Sequence, residues 1–320
     1  MTANMVRLHV TFTLPLDTDF FTFFTGLIRW RVIIHAFVDG YLRMIMGIQV
    51  NDNNRADTVL QLFMDAIQEH GTPSRVCGDH GVENSSGVAR YMEENFGVER
   101  ASYIWGRSVH NIRIERLWRD VTQGFGLKWY NFFYDLELSH GLLPDVDTHI
   151  WLLHTLFLPS IDQDAHEWAG AWNSHRLRLD DSRSRSPRDF YFFGAVEDGI
   201  QGPEGVMDPS GVFRRLEEDI GDPEGYGVDW VDLGNADILR HHNNHNPHQI
   251  EHLDSRQPPH LSLVDIPVFD SLFTSEEQVD IFEEVIARLP EYYSRDMEDC
   301  QSPWSQALHI VALLIQPESS

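Results

Sequence analysis

Between residues 74 and 125 the chain reads as strand, helix, strand, helix, and two carboxylates fall at element ends within that run. Ser74-Arg75-Val76-Cys77 follows the breaker Gly71-Thr72-Pro73 and reads as a short strand delivering Asp79. Residues 83–96 carry a helical pattern with Val88, Tyr91 and Met92 inward, and 101–104 form a further short strand. A second helix starts near His110 and runs toward Phe125, with Glu115 placed 36 positions after Asp79 (115 − 79). Strands alternating with helices build a sheet covered by helices, an order that brings a strand end and a later helix to one sheet edge. Carboxylates gathered there can hold hard divalent cations, which activate an attacking oxygen and stabilise a leaving one at a phosphodiester.

The flanks extend this α/β reading. Val32-Ile33-Ile34 lies in a buried strand over 31–38, Asp39-Gly40 is a two-residue hairpin signal, and 43–50 is the return strand. The strands at 31–38, 43–50, 74–78 and 101–104 are expected in one mixed sheet, the first two antiparallel. Asn54 takes an N-cap position for a helix over 55–70, with Val59, Leu60, Phe63, Ala66 and Ile67 on one face. Residues 129–160 are helical between breaks at Gly141 and Pro159, and 162–175 form another helix. Thr274-Ser275-Glu276-Glu277 has capping-box spacing before a helix over 276–289 that stops at Pro290. Residues 1–26 show no clear period, and their Phe and Thr content suggests a strand if anything.

Composition limits the function classes. Hydrophobic residues make up 42% of the 320, enough for a core. Cys77 and Cys300 give no disulfide framework, which points to a reducing, intracellular compartment. Residues 20–28 are apolar but lack the flanks of a signal peptide, and no run reaches membrane-spanning length. The net charge of −26 is segregated: 18 Lys+Arg against 24 Asp+Glu in residues 1–190, and 6 against 26 in residues 191–320. An acidic half repels phosphates and argues against strong nucleic-acid binding by the chain alone. His241, His242, His245, His248, His252 and His260 sit among Asn, Pro and Gln and read as a polar loop rather than a metal site.

The runs Leu27-Ile28-Arg29-Trp30-Arg31, Val38-Asp39-Gly40-Tyr41, Asn54-Arg55-Ala56, residues 75–84 and 106–119, and Ala171-Trp172-Asn173 resemble the catalytic core of the integrase and transposase superfamily, in its transposon-derived eukaryotic form. The resemblance covers residues 27–190. It implies a ribonuclease H-like mixed sheet flanked by helices, preceded by an atypical segment over 1–26 and followed by an acidic, partly irregular region over 191–320. By the same resemblance Asp79 and Glu115 are catalytic and metal-binding, with Mg²⁺ or Mn²⁺ as cofactor. DNA is then the partner, met by Arg107, Asn111, Arg113 and Arg116, and a nuclear location and homo-oligomer formation fit the same picture. A solvated helix face is the alternative reading of those arginines.

The family's first catalytic Asp lies on the first strand, just ahead of the Leu-Ile-Arg-Trp block. Counting back from that block reaches Thr22, within Phe20-Phe21-Thr22-Phe23-Phe24, where no carboxylate stands; Asp17 and Asp19 are out of phase. The resemblance thus implies DNA strand transfer by ancestry with chemistry impaired. A non-catalytic integrase remnant acting in nucleic-acid or protein interaction is the alternative.

Overall fold

The sheet is built around a strand that the hydrophobic pattern does not single out. In the computed structural model, which describes residues 7–11, 26–40, 42–73, 75–78, 84–96, 103–105, 112–176, 185–198, 200–202, 205–207, 213–214, 273 and 275–314, Arg7–Thr11 forms β1. It lies at the centre of a five-stranded sheet of order β3-β2-β1-β4-β5. The other strands are β2 (Ile33–Asp39), β3 (Ile45–Asn51), β4 (Arg75–Gly78) and β5 (Tyr103–Trp105). β1 runs antiparallel to β2 and parallel to β4; β2 and β3 are antiparallel, β4 and β5 parallel. Three antiparallel strands continued by two parallel ones in this order make the ribonuclease H-like arrangement; the four expected strands are all in it, the first two antiparallel, with β1 standing unexpected between β2 and β4. Thr22, where counting placed the first strand's key position, lies outside the described residues.

Each face of the sheet has its own core. On one side Phe37, Met44 and Met46 pack with Val59, Leu62 and Phe63 of α1 (Ala56–His70) and with Val88 and Met92 of α2 (Asn84–Phe96). On the other, Ala36, Val38, Ile48 and Val50 meet α3 (Ile112–Val121), α4 (Leu127–Ser139) and α5 (Asp147–Ser174). A fully buried Leu or Phe contributes about 1.5–3 kcal/mol, so this second, larger cluster dominates. α6 (Pro187–Asp198) and the small sheet β6 (Ile200–Gly202), β7 (Gly205–Met207), β8 (Phe213–Arg214) follow. The last helices are α7 (Glu276–Ala287) and α8 (Gln301–Leu314). Among the described residues no helix is long and apolar enough to cross a membrane.

Several local expectations are corrected. The hairpin after β2 is not a two-residue turn: Arg43 takes φ 59°, and Asp39 Oδ1 accepts from the Leu42 N–H at 2.6 Å, which closes a longer loop over residues 40–44. The N-cap of α1 is Arg55 rather than Asn54, and Asn53 Oδ1 accepts from the Arg55 N–H at 3.1 Å and from the Thr58 hydroxyl at 2.7 Å. Pro159 does not break a helix. α5 runs through it for 28 residues, because Leu156, Phe157, Ile161 and Ala165 are buried around it while Pro159 itself faces solvent. The one ladder bond that proline removes is then on the solvent-facing side, where water can reach the freed carbonyl. Ser275 is the N-cap of α7, accepting from the Gln278 N–H at 3.3 Å.

Candidate active site

β1 and β4 lie side by side with Leu8 opposite Val76, His9 opposite Cys77 and Val10 opposite Gly78. The next residues in sequence are Thr11, the last of β1, and Asp79. Asp79, Arg107 and Asn111 fall outside the described residues. Arg113, Glu115 and Arg116 are carried on α3, which begins at Ile112 after β5. Buried Leu117, Trp118 and Val121 fix α3 in the same cluster as Ala36 and Val38. Those two residues are the register mates of Thr11 and His9, and opposed residues of a ladder share a face. β1 reads Arg7-Leu8-His9-Val10-Thr11 and holds no carboxylate. Among the described residues no group of three or more His, Cys, Asp or Glu is placed to hold a metal ion. A pair of divalent cations requires a third carboxylate beside two such groups, and β1, the strand next to β4, contributes none.

The helix bearing Glu115 does not stop at Val121. A π-helical turn, Thr122–Gly126, joins α3 to α4 with helical dihedrals at both junctions, giving one rod over residues 112–139. The turn is shaped by packing: a Cβ added at Gly124 would lie 2.2 Å from the Trp168 ring. Single π turns inside α-helices recur at functional sites, and this one follows Glu115 by about two turns. Farther along, the Leu27-Ile28-Arg29-Trp30 block finds its role. It is a 3₁₀ turn (Gly26–Trp30) whose buried Trp30 ring sits edge-on to Tyr130 and Phe133, each at 5.4 Å. Arg29 makes a fork to both Glu137 carboxylate oxygens at 2.8 Å.

Ala171-Trp172-Asn173 is likewise structural. The Asn173 amide pairs both ways with Ile45 of β3, accepting from its N–H and donating to its carbonyl, each at 2.8 Å. Trp172 Nε1 donates to the Arg43 carbonyl at 2.8 Å, and Asp162 Oδ1 accepts from the Val50 N–H at 2.8 Å. Pattern reasoning could flag Asn173 as unusual in a helix end but could not reveal a partner 128 residues away. It also passed over His35, whose side chain is buried in β2. Asn51 Nδ2 donates to His35 Nδ1 at 3.0 Å, leaving the neutral ring's proton on Nε2, and burial lowers its pKa to about 4.

Against solved structures, the chain is similar to the catalytic core domain of HTLV-2 integrase, determined with magnesium in a trimeric form, at 11% identity and a TM-score of 0.35, over 60% of this chain and 98% of that one. A comparison with curated proteins gave no match. The integrase core domain model matches residues 22–202, more than half of the chain, from β2 through β5 and α1 through α6 but not the central strand β1. The chain belongs to the integrase core domain family.

Proposed function

We propose that this is an integrase-derived core in which Asp79 and Glu115 persist while two-metal strand transfer on DNA is impaired. The carrying observation is the missing carboxylate: counting back from the Leu27-Ile28-Arg29-Trp30 block places the family's first Asp at Thr22, and the central strand Arg7-Leu8-His9-Val10-Thr11, alongside the strand that precedes Asp79, holds no carboxylate either. A hydroxyl or imidazole is neutral and cannot offset the charge of a second divalent ion. Asp79 and Glu115 would hold one Mg²⁺ or Mn²⁺, and that ion would supply charge neutralisation at a phosphodiester. Arg107, Asn111, Arg113 and Arg116 would meet the DNA backbone. The test is strand transfer and nicking of a duplex oligonucleotide with Mg²⁺ or Mn²⁺, beside a calorimetric Mn²⁺ titration. The expected result is turnover no greater than that of Asp79→Asn or Glu115→Gln, with one weak Mn²⁺ site that both variants abolish. Turnover that both substitutions remove would overturn the reading and direct attention to Asp17 and Asp19.

The second reading is a non-catalytic protein that binds nucleic acid or other proteins. The segregated charge favours its protein-binding form, since residues 191–320 hold 6 Lys+Arg against 26 Asp+Glu.

A further inference from the structure

Residues 273–314 lie beyond the family match, which ends at 202, yet they complete its larger core. Trp304, Phe282 and Ile286 are almost wholly buried, in one cluster with Phe133, Leu152 and Phe157 of α4 and α5. Trp151 of α5 is held edge-on by Phe273 and inclined to Phe282, at 5.6 and 5.7 Å. Trp304 Nε1 donates to the His140 carbonyl at 2.9 Å, between α4 and α5.

The rim of this contact is polar and complementary. Residues 276–314 contain nine acidic residues and two basic ones, Arg288 and Arg295. Arg288 pairs within α7 to Glu284. Arg295 reaches the core instead, donating to Asp164 and, at 2.7 Å, to Glu167. Asp164 also accepts from Lys128 and from Trp129 Nε1, each at 2.8 Å. Burial pushes the Asp164 carboxyl up, but the bonds from Lys128, Arg295 and Trp129 outweigh it and hold the pKa below its ordinary value. Gln301 Nε2 adds a bond to Asp135 at 3.0 Å. A buried tryptophan, Trp304, inside a polar rim that the exposed Arg295 joins has the anatomy of an interface between molecules. The contact joins side chains and helix faces, and neither α7 nor α8 extends the sheet.

We propose that the α4–α5 hairpin carries a helix-accepting surface with an acidic rim (Asp135, Asp164, Glu167), and that residues 273–314 of the same chain are its separable and exchangeable occupant. This stands whether or not the Asp79–Glu115 pair turns over. The test uses the full chain with a protease site inserted within residues 215–272, which join β8 to Phe273 in sequence. After cleavage the C-terminal fragment should co-elute with the rest on gel filtration. Mixing tagged and untagged cleaved protein should transfer the fragment between copies, so that tag capture recovers both forms. Arg295→Glu and Trp304→Ala should each weaken retention roughly 30-fold, while the remaining chain keeps its helical circular dichroism. A fragment that separates at once from the unmodified protein, that never transfers, or whose loss unfolds the rest would overturn the proposal.

Discussion

At the scale of single residues the most consequential group is His35, because its buried ring cannot accept a proton without losing its surroundings. In the unfolded chain histidine titrates near 6.5; in the fold burial takes it to about 4. The unfolded state therefore binds the proton first, so the stability tied to this residue is complete above about pH 6.5. It drains away as pH falls toward 4 and changes no further below. A displacement of that size is worth about 3 kcal/mol. His154, His149 and His70 are also lowered by burial and add the same sign. Denaturant unfolding at pH 7.5 and pH 5.0 checks this: the midpoint should drop at the lower pH, and less in His35→Gln. Equal drops in parent and variant would remove His35 from the account. Cys300 is the opposite case, a thiol that burial pushes up to about 11, so alkylating reagents at neutral pH should label it only after unfolding.

At the scale of elements, the α3–α4 rod and α5 respond to substitution in opposite ways. Gly124→Ala sets a methyl against the Trp168 ring, and overpacking of this kind costs about 1–3 kcal/mol; Pro159→Ala restores an N–H to α5 and should raise the melting temperature. Thermal unfolding of the two variants reads both signs, and a Gly124→Ala protein as stable as the parent would mean the π turn yields easily. These elements also show how far the sequence could be read. Periodicity located α1 and α2, capping-box spacing located α7, and the spacing of β2, β3, β4 and β5 was enough for a mixed sheet. The block motifs placed the family. β1 escaped because five residues, Arg7-Leu8-His9-Val10-Thr11, carry too little alternation to rise above their neighbours. Its place is set by pairing on both sides, with β2 and with β4. Pro159 misled because helix propensity is local, whereas burial of the faces around it is not. Glu115 could be placed on a helix from sequence alone, while the reach of that helix through a π turn to residue 139 depended on Trp168.

At the scale of the whole molecule, charge governs what the surface can meet. With a net −26, duplex DNA should bind weakly, and the slope of log affinity against log salt should correspond to only one or two phosphates. Arg113→Ala with Arg116→Ala should flatten it further; an unchanged slope would remove those arginines from the contact. The sheet poses a separate problem of solution behaviour. β3 is an outermost strand, and such a strand offers unpaired amides and carbonyls to any neighbouring chain. Asn173 occupies both groups of Ile45, and Asp162 takes the amide of Val50. The end of α5 and its middle thus plug the open margin of the sheet at two points, as a short strand of side chains would. Asn173→Ala should do more than lower the melting point by the 1–3 kcal/mol of two bared buried groups. It should make the protein bind thioflavin and sediment on standing, because a helix end is what keeps one copy's sheet from growing onto the next.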